Sequence, residues 1–160
     1  MKLVAEMDEG PVYAQIKLDL SGTESKQQLA DTAAKIGAGL LLEKLPAILD
    51  GTLAPTPQSE TGAIVTQKIT KLDGIFDWKK PAATLEKEVL AYSGWPKSRA
   101  RIFDNDVIIT KVREAKDKSD GDLVLPAAGS WLEVQELTAP SGRTMSGADF
   151  LRGYAKENAQ

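Results

Sequence analysis

The sequence predicts an α+β chain in two parts: a strand pair with a long helix over residues 1–50, and a small β-barrel over residues 65–160. Three observations carry this prediction. Apolar and polar residues alternate with period 2 between Leu3 and Leu20; the spacing becomes helical from Thr23 to Leu49; and beyond a proline-bearing stretch the apolar runs are short and repeated.

Leu3, Ala5 and Met7 alternate with Lys2 and Glu6 as a short strand, and Val12, Ala14, Ile16, Leu18 and Leu20 alternate with Tyr13, Gln15, Lys17 and Asp19 as a second. Gly10-Pro11 separates them as a turn or crossover. Thr23 is the expected N-cap of the helix, with Glu24 in its first turn. Leu29, Ala33, Ile36 and Leu40 form its apolar stripe, extended by Leu41, Leu45, Ile48 and Leu49. Gly37 and Gly39 each weaken it by about 1 kcal/mol relative to Ala. Pro46 predicts a kink or break near Leu45, and Gly51 the end of the element. Residues 51–64, with Pro55 and Pro57 among small polar neighbours, read as an extended, passive linker.

Val65–Ile69 reads as a strand and Ala82–Tyr92 as a helix closed by Trp95-Pro96. Short strands are expected at Arg99–Phe103, Val107–Val112, Asp122–Leu125 and Trp131–Leu137, with a hairpin turn at Asp104-Asn105-Asp106. Ser146 should cap a last helix, Gly147–Tyr154. Several short strands with one or two helices suggest an OB-fold-like barrel.

Composition narrows the chemistry. The chain has 160 residues, 42% hydrophobic and 27% charged, with no His and no Cys. Ser-His-Asp catalysis, His-ligated zinc and disulfides are excluded for these residues acting alone, and no metal site is expected. No apolar run approaches the roughly 20 residues that span a bilayer, and Met1–Glu6 lacks the apolar core of a secretory signal. No membrane partner is expected, and a cytoplasmic protein is.

Four segments then align with one family. Asp50-Gly51-Thr52-Leu53-Ala54-Pro55 is similar to its Asp-Gly-Thr-x-x-Pro. Lys68-Ile69-Thr70-Lys71 followed by Asp73-Gly74-Ile75-Phe76-Asp77-Trp78 resembles its lysine-rich approach to an Ile-Asp-Trp-like triplet. Ser93-Gly94-Trp95-Pro96 resembles its Asn-Pro-Trp-Pro. Pro140–Gly153 is similar to its C-terminal signature. In this order the segments resemble the C-terminal half of methionyl-tRNA formyltransferases. The resemblance implies a remnant of a Rossmann-like formyltransferase domain (1–50), a linker (51–64) and an OB-like tRNA-binding domain (65–160). It further implies formyl transfer from 10-formyltetrahydrofolate to initiator methionyl-tRNA in translation initiation, with the tRNA acceptor arm as partner.

In that family an Asn and a protonated His stabilise the oxyanion of the tetrahedral intermediate, beside an Asp that holds the His charge state. Aligning Met7-Asp8-Glu9-Gly10-Pro11 with the family's Leu-Asp-x-Gly puts that Asp at Asp8. The Asn, the His and the Ser-Leu-Leu-Pro loop near the folate have no counterpart here, so the expectation is a truncated, catalytically incomplete chain with no folate bound. Residues 1–50 should then self-associate, take a partner supplying the other half, or repack on the barrel.

For RNA, residues 1–64 carry five Lys against nine acids, and residues 65–160 fifteen basic residues against fourteen acids. If the two strands pair about Asn105, then Arg99, Arg101 and Lys111 share one face, flanked by Lys97 and Arg113, while Ala100, Ile102, Ile108 and Val112 face the core. Lys68, Lys71, Lys79 and Lys80 form a second basic stretch. Both would contact phosphates; an ordinary solvated strand face and entry loop are the alternatives. Trp78, Trp95 and Trp131 could stack on bases but are read as packing residues, Trp95 sealing its helix against the barrel. Two other functions stay open: a non-catalytic tRNA- or RNA-binding module, and a fragment of a sugar-nucleotide formyltransferase.

Overall fold

A computed structural model of the chain describes residues 1–155. Two compact units divide it: Met1–Ser21 with Gln27–Gln67, and Gly22–Lys26 with the chain from Lys68 onward.

In the first unit the dominant element is helix α1, Lys26–Leu49. It runs through Pro46 rather than breaking at Leu45, because a proline in the last turn forfeits only one intrahelical bond. Gly51, at φ +79°, ends it; the Leu53 N–H reaches back to the Ala47 carbonyl at 2.9 Å, closing the terminus. No residue of α1 is buried, and Leu42 and Leu49 are 71% and 78% exposed. The strand pair expected over residues 3–20 does not form. A single antiparallel bridge joins Val12 to Thr56, and Leu3 and Met7 are exposed. Alternation specifies which face a strand buries, but a strand also needs a neighbouring ladder, and among the described residues none lies beside this segment.

The second unit contains α2 (Ala82–Ala91), β1 (Ser98–Ile102), β2 (Asn105–Ala115), β3 (Val124–Ala127), β4 (Ser130–Thr138), β5 (Thr144–Ser146) and α3 (Gly147–Tyr154). The strands form one antiparallel sheet in the order β1-β2-β4-β3, with β5 also on β4. β2 takes one edge of β4; β3 and β5 share the other, pairing with its first and second halves. The result is a curled half-barrel, and β1 and β3 do not pair to close it. Its core is built from Leu85, Leu123, Leu132, Val134, Leu137 and Phe150, all essentially inaccessible. α2 packs on β2 and α3 on β4. Ser146 caps α3, its Oγ accepting from the Asp149 N–H at 3.1 Å. Val65–Ile69, expected as a strand, is irregular and exposed.

The β1–β2 turn is Phe103-Asp104, both at positive φ (47° and 59°), not Asp104-Asn105-Asp106. Two left-handed residues make the tight turn that matches strand twist. Phe103 is a poor residue for it, yet its ring stacks on Phe150 at 6.4 Å. The shift is odd in residues, so it exchanges the faces of β2: Val107 and Ile109 enter the core, and Ile108, expected there, lies opposite Arg99 on the outer side. A bulge between Ile109 and Val112 restores the phase, and Val112 is buried as expected.

Candidate nucleic-acid interface

Helix α2 is preceded by a short 3-10 turn, Leu72–Gly74, from which Ile75–Trp78 runs along the free edge of β1. Gly74 permits this approach, since a Cβ there would lie 2.3 Å from the Lys97 carbonyl oxygen. Ile75 bridges Arg99 in parallel, and the Phe76 N–H donates to the Arg99 carbonyl at 2.8 Å. Asp73 fixes the approach by accepting from the Thr70 N–H (2.6 Å) and hydroxyl (2.8 Å), bonds that hold its carboxyl below the usual range.

An open groove of about 680 Å3 results, lined by Ile75, Phe76 and Trp78 on the approach segment, Arg99–Arg101 on β1, and Asp106–Ile108 on β2. Trp78 is partly buried and rests against Phe76 with ring centroids 4.7 Å apart and planes tilted by 60°. Ile75 is 58% exposed. Arg101 lies 3.6 Å from the Asp104 carboxylate and opposite Asp106, whereas Arg99 has no ion pair among the described residues.

The other basic positions are differently placed. Lys111 lies beyond the end of β1 and pairs across to Glu136, so it does not join Arg99 and Arg101 in the expected row. Arg113 is committed internally, to Asp120 at 3.0 Å and Glu133 at 2.6 Å. The bonds that Arg113 donates to Asp120, then the charges of Glu133 and Asp120, raise the Arg113 pKa against a lowering by desolvation. Lys80 reaches Glu88 at 2.5 Å, and that bond raises its pKa. Lys97, at φ +71°, borders a separate small cavity with Tyr92 and Ser98. Lys68, Lys71 and Lys79 are exposed. Trp95 is 47% exposed and does not seal α2; Pro96 is the buried member of that pair.

Asp8 sits in the first unit at φ +60°, in a turn held by Gln58, whose Nε2 donates to the carbonyls of Asp8 (2.7 Å) and Gly10 (2.8 Å). Residues 51–64, expected as a passive linker, are thus tied to the start of the chain: Thr56 pairs with Val12, and Gln58 binds Asp8 and Gly10. The Asp8 carboxylate has no hydrogen bond or ion pair among the described residues.

Residue spacing alone missed the groove's apolar wall. Ile75 and Trp78 belong to a segment that stands out by its motif, and alternation places Ile108 in the core. The signal for Ile75 is its place directly after Asp73-Gly74, where a turn frees a side chain.

The fold and groove define a small curled-sheet domain with a mixed basic and apolar outer face. Residues 68–155 match the family model described as formyl transferase, C-terminal domain, and the chain belongs to that family. It is 34% identical over 172 residues to a methionyl-tRNA formyltransferase of Chloroflexus aurantiacus, covering 99% of this chain and 55% of that protein. It is likewise 34% identical to one from Roseiflexus castenholzii, covering 96% and 52%. The chain thus spans about half the length of the curated relatives it matches, the C-terminal half. Among solved structures, HypX from Aquifex aeolicus shares the fold with a TM-score of 0.66 at 17% identity, covering 95% of this chain and 30% of that one. HypX in complex with tetrahydrofolic acid gives 0.61 at 17%, covering 96% and 29%.

Proposed function

We propose that this chain is the RNA-holding portion of a methionyl-tRNA formyltransferase, an enzyme of translation initiation that passes a formyl group from 10-formyltetrahydrofolate to initiator methionyl-tRNA. The observation that carries the reading is the groove beside Arg99, an exposed guanidinium with no ion pair among the described residues, in the domain that gives the family its match. Residues 65–160 hold the acceptor arm, residues 51–64 link, and residues 1–50 belong to the catalytic domain, with Asp8 at the position of its carboxylate. Arg99 is the principal phosphate contact. Arg101, Lys97, Lys111 and the exposed Lys68, Lys71 and Lys79 add a diffuse attraction, and Arg113 and Lys80 serve the fold instead.

By themselves the 160 residues hold substrate RNA and do not catalyse. Asp8 alone offers neither an oxyanion donor nor an imidazole. The exposed apolar side chains of residues 1–67 are a face for further catalytic-domain structure, supplied by more polypeptide or by a second molecule.

The test is tRNA binding by the 160-residue chain across a salt series. Affinity should fall linearly on a log-log plot, and Arg99→Glu should weaken it several-fold more than Arg113→Gln does. Salt-independent binding, or equal loss in both variants, overturns the reading. A second reading, a non-catalytic RNA-binding module, keeps the same groove and needs no folate. The two diverge when catalytic-domain polypeptide from a relative is added: formyl transfer restored by it supports the enzyme reading.

A further inference from the structure

We infer that the groove beside Arg99 takes one unpaired nucleotide, its base against Ile75, Trp78 and Ile108 and its phosphate on Arg99. This rests on the RNA-binding reading and deepens it, since a phosphate-holding face alone needs no apolar wall.

The lining is divided as a nucleotide is divided. Ile75, Phe76, Trp78 and Ile108 present hydrocarbon and ring, while Arg99 supplies a planar cation. Arg99 and Ile108 are direct cross-strand partners, which puts their Cβ atoms about 5 Å apart on one face. Cation and apolar surface are thus adjacent, as phosphate and base are along a single strand. The volume, about 680 Å3, suits a small-molecule-sized group.

The charges also argue against the backbone of a duplex. Regular duplex contact uses several free cations in a row. Here Arg101 is balanced by Asp104 at 3.6 Å and by Asp106 across the strands. Asp106 makes its end of the groove unfavourable for a phosphate and leaves the Arg99 end for it. The wall is preorganised: Phe76 braces Trp78, and the Phe76 N–H bond to Arg99 ties that wall to the strand bearing the cation. Little side-chain freedom is lost on binding. An apolar peptide would also find hydrocarbon here, but would leave Arg99 facing an uncharged ligand.

The experiment compares three fluorescent ligands on the 160-residue chain at one salt concentration: a short single-stranded RNA, the same length with abasic sugars, and its duplex. The single strand should bind about tenfold tighter than the abasic strand, the factor expected of one stacked base, and tighter than the duplex. Trp78→Leu should bring the base-to-abasic ratio toward one. Ile75→Ala should do likewise, and because that side chain is exposed, it tests the idea even if the Trp78 variant folds poorly. Equal affinity for base-bearing and abasic strands overturns the inference while leaving phosphate-based RNA binding intact. No binding of any of the three, or of tRNA, overturns the RNA-binding reading and the inference with it. Ratios unchanged in both variants show that a base binds elsewhere and overturn the inference alone.

Discussion

Arg99 and Arg113 carry the same group and have opposite fates. Arg113 is held by two carboxylates, and Arg99 is exposed with no ion pair among the described residues. Alternation along the sequence places both on strands without revealing this, because Asp120 and Glu133 approach Arg113 from other elements. The pairing has a pH signature. The Arg113 hydrogen bond and then the Lys116 N–H hold Asp120 down to about 2. A carboxyl depressed in the folded state contributes stability that is fully present above its unfolded value, roughly 4, and lost as pH falls through the folded one. The melting temperature should be steady above about pH 5 and fall between about pH 4 and 2. Asp120→Asn should make that fall shallower without abolishing it, since Asp73, Asp117 and Asp149 are also lowered by their hydrogen bonds. At Gly74, where an added Cβ would meet the Lys97 carbonyl at 2.3 Å, Gly74→Ala should cost about 1–3 kcal/mol in urea unfolding. A neutral result would mean that the Ile75–Trp78 segment does not lie against Lys97.

Among the elements, local signals were most legible where they were self-sufficient. The last helix has the expected bounds because Ser146 caps it within its own sequence. Ser146→Ala should therefore lower stability by about 1 kcal/mol, measured by chemical denaturation; an unchanged midpoint would show that the sheet contacts of α3, not its cap, fix its start. Helix α2 follows from its apolar spacing, which meets the sheet at Leu85 and Val89; its own N-cap, Pro81, offers no side-chain bond, and the Ala82 N–H donates to Ser130 Oγ at 3.0 Å instead. The β1–β2 hairpin was only partly legible. Its strands are where the apolar runs put them, but its register depends on a Phe103-Asp104 turn that turn preferences disfavour and a distant Phe150 supports. That one displacement moved Ile108 out of the core and Lys111 away from Arg99, and so concealed the groove. The expected strands over residues 3–20 failed in the opposite way: their alternation is clear, but no ladder lies beside them among the described residues.

Over the whole chain, the second unit has the buried core, and the first presents most of its large apolar side chains to solvent. Burying such surface is favourable by about 25 cal/mol per Å2. The first unit should therefore associate in a concentration-dependent way, read by sedimentation velocity; a monomer at high concentration would contradict its role as a face for further structure. With methionyl-tRNA and 10-formyltetrahydrofolate the chain alone should give no formyl transfer, and turnover would contradict the division between holding and catalysis. The central claim, that the family-matching half-barrel grips RNA through the groove at Arg99, is tested most directly by hydrogen exchange with and without tRNA. Exchange should slow at Ile75–Trp78 and along β1 and β2, and stay unchanged in α1. Protection confined to α1, or none in the groove at saturating tRNA, would contradict it.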